Sequence, residues 1–163
     1  MFFMKKETGQ GTFTIFFDVD GVLNKESEWS HRTALNKDCL DAFQELFTLL
    51  RKKGYQKVEA VIISTWRGGR SGKGESGSDA PQYQALEREL SKRGIEIAGA
   101  TPITEKGRQA EVEYYIRRNE VEDYVILDDD RSLFEAPERL ELYSPDYRTG
   151  LTRQDAKAIV KKI

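Results

Sequence analysis

One stretch constrains the fold more than any other: Phe13 to Asn24, FTIFFDVDGVLN, a hydrophobic run that ends in two aspartates one residue apart and then a glycine. Phe13, Ile15, Phe16, Phe17 and Val19 are aromatic or β-branched, the pattern of a buried strand. The acids therefore sit at its carboxyl end. In open α/β sheets that end faces the ligand crevice, so Asp18 and Asp20 would project two charges into a cleft. Two such charges require a cation or a proton.

An Asp-x-Asp pair is expected about once by chance in a chain this acidic, so the context has to decide. Tyr124 to Leu127 is a second run, ending in Asp128, Asp129 and Asp130, and Val58 to Ile63 a third, ending in Ser64 and Thr65. Carboxylates from separate strands that meet a hydroxyl are what a Mg²⁺ site handling a phosphoryl group needs, because that ion takes hard oxygen ligands. Between the runs the period becomes helical. Leu40, Phe43, Leu46, Phe47 and Leu50 recur every three or four residues from Asn36, a predicted N-cap, to Lys53, with Gly54 as a stop. Further helices are expected from Pro81 to Arg93 and from Lys106 to Arg118, with a short strand near Ile95 to Ala98. Leu140 to Tyr143 would be a last strand, and Thr152 with Asp155 resembles a capping box opening a helix to Ile163. Strand and helix in alternation imply a parallel sheet.

On these residues the chain resembles the haloacid dehalogenase (HAD) superfamily of phosphatases and phosphotransferases. FFDVDGVLN looks like the first motif, VIIST the second, a basic residue in TEKGR the third and YVILDDD the fourth, in the family's order. STWR, RQAEV, LDDD and the late GLT most resemble the HAD domain of bacterial Swiss Army Knife RNA repair proteins. The resemblance covers most of the chain and implies a Rossmann-like three-layer α/β sandwich with a mainly parallel central sheet. The intervals between motifs hold a flap (Val22 to Arg32), helices and short loops, so a single domain over residues 1–163 with no large cap is expected.

The resemblance also implies roles. Asp18 would be the nucleophile that forms an aspartyl-phosphate, and Asp20 the acid that protonates the leaving oxygen and later activates water. Ser64 would hydrogen-bond a phosphoryl oxygen, with Thr65 as the neighbour if the register differs by one; alone, such a pair is more often a turn former. The third-motif cation is Lys106 or Arg108, with Lys106 the first choice, although Arg108 keeps the RNA-repair group's spacing to Glu111 and Val112. Asp128 and Asp129 would complete the Mg²⁺ site with Asp18 and the backbone carbonyl of Asp20, while Asp130 is more readily a turn cap. Thr65 and Arg67 are candidate substrate contacts. Arg67 opens RGGRSGKG, residues 67 to 74, a glycine-rich stretch with Arg70 and Lys73 that reads equally as a solvated loop.

A net charge of −2 supplies no global field that would draw the protein onto nucleic acid, so any polyanion contact must be local. No apolar run approaches the roughly 20 residues of a membrane span, and MFFMKKE lacks the order of a signal peptide, so a cytoplasmic protein without membrane contact is expected. The lone Cys39 reads as a packing residue, the lone His31 as a surface residue, and Trp66 as half-buried. The leading expectation is a Mg²⁺-dependent phosphatase acting on a phosphorylated substrate, with a nucleic-acid end or a nucleotide favoured. Two alternatives use the same residues: a HAD-like binding or regulatory module, and a phosphotransferase.

Overall fold

The computed structural model describes residues 11–31, 33–70 and 79–163. Five strands form one sheet: β1 (Thr12–Phe17), β2 (Lys57–Ile62), β3 (Ile97–Ala100), β4 (Asp123–Leu127) and β5 (Leu142–Tyr143), in the order β3-β2-β1-β4-β5. Every pairing is parallel. The chain builds outward from β1 to β2 and β3, then returns to add β4 on the other side of β1. That reversal leaves a crevice at the carboxyl ends of β1 and β4, where a doubly wound sheet binds its ligand.

Four helices cover the sheet: α1 (Lys37–Lys53), α2 (Asp79–Ser91), α3 (Arg108–Arg118) and α4 (Arg153–Lys161). The two-residue period of β1 divides the core. Phe13, Ile15 and Phe17 join Leu40, Phe43 and Leu50 of α1, Leu86 and Leu90 of α2 and Ala156 and Ile159 of α4 in one cluster. Phe16, Val61 and Ile126 face the other way, against Val112 of α3. A strand that buries both faces is mostly apolar, which is why β1 reads as a hydrophobic run; its one buried polar side chain, Thr14, donates to Glu59 Oε2 at 3.2 Å. The result is three layers, helix on sheet on helix. Among the described residues no helix is long and apolar enough to cross a membrane.

Two helix starts use different chemistry. Thr152 and Asp155 form the expected capping box: each side chain accepts from the other residue's backbone amide, at 3.1 and 2.8 Å. Asn36 occupies the N-cap position of α1, yet its side-chain oxygen accepts from the Lys25 amide at 2.7 Å instead of from the helix. The residue that opens α1 thereby fastens the flap that follows β1. Cys39 is buried on α1, 3.4 Å from the Thr149 carbonyl, and burial pushes its thiol up to about 12.

Candidate active site

The ends of β1 and β4 bring three acids together. Ligand oxygens of Asp18, Asp128 and Asp129 lie within 4.8 Å of one another. Backbone pairing sets this geometry, because Phe17 is in register with Leu127 and the Asp18 amide donates to the Leu127 carbonyl at 2.8 Å. Burial, and next the charge of Asp128, raises the Asp18 carboxyl well above the ordinary carboxylate range; Arg108 pulls it partly back. Burial and then Asp128 lift Asp129 to about 6. Three hard oxygen donors at the mouth of a cleft, with too little positive charge around them, fit a small divalent cation such as Mg²⁺. Gly21 makes the cluster possible. Its φ is +84°, and a Cβ there would stand 2.6 Å from Asp129 Oδ2, so the glycine of the first motif leaves room for an acid of the fourth.

Arg108, the first residue of α3, reaches into this cluster. Its Nη1 donates to Asp128 Oδ2 at 2.7 Å and lies 3.4 Å from Asp18 Oδ2. Lys106 is placed elsewhere: it is exposed, its amide donates to Thr104 Oγ1, and it lines a separate cavity of about 540 Å³ with Tyr114 and Arg117. No ion pair of its ammonium occurs among the described residues. Of the two expected cations, Arg108 and not Lys106 reaches the acid cluster, because α3 starts at Arg108 and its first side chain turns toward Asp18 and Asp128.

Asp20, two residues past Asp18, is half-buried and held at both carboxylate oxygens. Asn24 Nδ2 donates to its Oδ1 at 2.9 Å, and the indole Nε1 of Trp66 to its Oδ2 at 3.4 Å. Asn24 is itself buried and saturated: its Oδ1 accepts from the Gly21 amide and from Trp29 Nε1, and its Nδ2 also reaches the Ala34 carbonyl. Trp66 is only 2% exposed, so the expected half-buried ring is instead a core residue whose indole N–H reaches Asp20. Ser64 is buried beside Asp18 at the end of β2, where the Ile63 amide donates to the Phe17 carbonyl. Its Oγ accepts from the Trp66 amide as the cap of a 3-10 turn, Thr65–Gly69, which leaves the hydroxyl proton to give away. Thr65, one residue on, is exposed.

Arg67 does not have the substrate-contact geometry expected of it. Its Nε donates to the Thr101 carbonyl, Nη1 to those of Ile63 and Ser64, and Nη2 to the Pro102 carbonyl and Glu111 Oε1. A guanidinium has five N–H donors, and all five are spent. Glu111 completes the lock by accepting from the Thr104 amide and hydroxyl. The pair ties the loop after β2 to the loop that delivers Arg108. Asp130 caps the next turn, accepting from the Ser132 amide at 3.0 Å, and is exposed. His31 is exposed as well. Lys73 and the rest of the stretch from 71 to 78 lie outside the described residues.

Asn24 and Trp29 make positioning contacts that no sequence signal marked, and Glu111, read in the sequence only for its spacing to Arg108, pairs with Arg67. Asn24 ends the first motif, but its place there does not tell that its amide joins Asp20, Gly21, Trp29 and Ala34.

Comparison with known proteins agrees with this architecture. A search of curated proteins finds no match. Among solved structures, D,D-heptose 1.7-bisphosphate phosphatase from B. bronchiseptica, crystallised with magnesium and phosphate, superposes with a TM-score of 0.56 at 15% identity, over 91% of this chain and 96% of that one. At that identity the likeness is one of fold. A family model for the HAD domain in Swiss Army Knife RNA repair proteins matches residues 14–156, from within β1 to the first turn of α4, and the chain belongs to that family.

Proposed function

We propose that the protein is a Mg²⁺-dependent phosphomonoesterase that works through an aspartyl-phosphate on Asp18, with the terminal phosphate of a nucleotide or nucleic acid as substrate. One observation carries this reading: the carboxylates of Asp18, Asp128 and Asp129 converge within 4.8 Å beside the Arg108 guanidinium, at the carboxyl edge of the sheet. Family membership and the shared fold with a phosphatase crystallised with magnesium and phosphate support it. The family's association with RNA repair supports the substrate class.

Asp18, Asp128, Asp129 and the backbone carbonyl of Asp20 would hold Mg²⁺, which when bound offsets the negative charge of the phosphoryl oxygens. The protein's own groups do the rest. The Val19 amide donates to Asp18 Oδ1 at 2.8 Å and fixes the carboxylate. An Asp18 oxygen attacks phosphorus as the bond to the leaving oxygen breaks, and Asp20 gives that oxygen its proton. Asp20, held by Asn24 and Trp66, then takes a proton from water; the resulting hydroxide displaces Asp18 from phosphorus and inorganic phosphate leaves. Arg108 steadies Asp18 and meets the charge that develops on the phosphoryl group, and the Ser64 hydroxyl donates to one of its oxygens.

Phosphate release from nucleotides, sugar phosphates and 3′- or 5′-phosphorylated oligonucleotides, with Mg²⁺ or chelator, tests this. Release that requires Mg²⁺ and disappears in Asp18→Asn is expected. Silence across the panel would refute hydrolysis and move the protein to phosphoryl transfer or binding.

A further inference from the structure

Trp29 and Tyr147 are both 42% exposed, and their rings meet with centroids 6.1 Å apart and planes tilted by 40°. Single exposed aromatics are ordinary on a protein surface. This pair is different because of what holds it. The Trp29 indole N–H donates inward to Asn24 Oδ1 at 2.9 Å, and Asn24 Nδ2 donates in turn to Asp20 Oδ1. The ring is thus one side chain removed from the group that serves the leaving oxygen, with its polar edge turned to the protein and a face turned out. Tyr147 comes from the loop before α4, which two backbone hydrogen bonds fasten to the flap: Glu26 N to Tyr147 O at 3.0 Å and Leu151 N to Val22 O at 2.8 Å. The two rings are therefore fixed relative to each other and to Asp20.

We infer that Trp29 and Tyr147 form a stacking platform for the leaving group, and that this platform takes a nucleobase. The inference rests on the phosphatase reading above and specifies which phosphomonoesters it applies to. The surrounding charges favour a neutral planar group over a second phosphate. Arg148, 5.9 Å above the Tyr147 ring, is paired with Asp146, and Lys25 is paired with Asp38, so these two cations among the described residues are already matched. What the patch offers is π surface, which every base can use. A rigid, pre-oriented ring loses little freedom when a base settles on it.

The test compares kcat/KM for adenosine 5′-monophosphate with that for glycerol phosphate, in Mg²⁺, for wild type, Trp29→Leu, Tyr147→Leu and Trp29→Phe. The ratio should fall on the order of 10-fold in each leucine variant, as expected for losing a stacked base, and stay near the wild-type value in Trp29→Phe. Trp29→Phe keeps a ring and removes the N–H to Asn24, so it separates stacking from the positioning of Asp20. An unchanged ratio in both leucine variants would overturn the platform, as would loss of both substrates in equal proportion. If wild type hydrolyses neither ester nor any other member of the panel above, the phosphatase reading fails and tryptophan emission judges the platform alone. Saturable quenching by adenosine 5′-monophosphate, absent with inorganic phosphate and absent in Trp29→Phe, would uphold it; no quenching in wild type would overturn it.

Discussion

Arg67 shows how a residue type can suggest one task and perform another. An arginine just past a strand end that carries a candidate phosphate-binding hydroxyl invites a phosphate-binding role as readily as that of a solvated loop residue. The folded chain gives its five donors to four carbonyls and Glu111, 2.9 Å away and equally buried. Removing one partner of a buried pair leaves the other uncompensated, at about 3–5 kcal/mol. Arg67→Lys, which keeps the charge but has too few donors for five acceptors, should lower the melting temperature by roughly 6–20 °C, at 2–4 °C per kcal/mol for a chain of this size. A shift under about 2 °C in a thermal melt would show that the guanidinium is not needed. Lys106 and Arg108 make the converse case. Both cations stand in one short motif, and which of them reaches Asp18 and Asp128 depends on where α3 begins and which way its first turn faces.

At the level of elements, periodicity was a good guide to existence and a weaker one to boundaries. The strands end one or two residues from their expected limits, and α3 starts at Arg108 rather than Lys106, because Gly107 has φ +99° and cannot continue a helix. The contacts between elements had no signature at all. Arg93, just past α2, pairs with Asp41 of α1, which Lys37 also reaches at 3.0 Å. The hydrogen bond from Arg93, and then that from Lys37, holds the Asp41 carboxyl below the ordinary carboxylate range. A depressed carboxylate stabilises the fold above its unfolded value of about 3.9 and loses that contribution as pH falls through the lower folded value. Asp41→Asn should therefore cost about 0.5–1 kcal/mol at neutral pH, with a gap to wild type that closes as pH drops below about 4. Denaturant midpoints at pH 7 and pH 3 check this, and an equal gap at both would rule out the ion pair as its cause.

The whole molecule is organised around a charge imbalance at one edge of its sheet. Three carboxylates held together against burial and mutual repulsion are a standing demand for a cation, and a ligand that binds only the folded state stabilises it. Millimolar Mg²⁺ should raise the melting temperature reversibly on chelation, by about 5–10 °C if the ion reaches 100 times its dissociation constant. Asp129→Ala should abolish the shift; a shift that survives would place the ion elsewhere. The parallel sheet, the two-sided core and the acids at strand ends could all be read from the chain, because each follows from local rules: hydrophobic runs buried on both faces, a helical period between them, and polar residues where strands stop. Family motifs added the order in which those ends meet. Tertiary structure alone decided which side chains share the crevice. Arg108 rather than Lys106, Trp66 turned inward to Asp20, Asn24 spanning the flap and Arg67 spent on backbone carbonyls are outcomes of packing between distant segments. Hydrogen bonds of that kind depend on distances and angles set by the whole fold, and a linear pattern of residue types does not encode them.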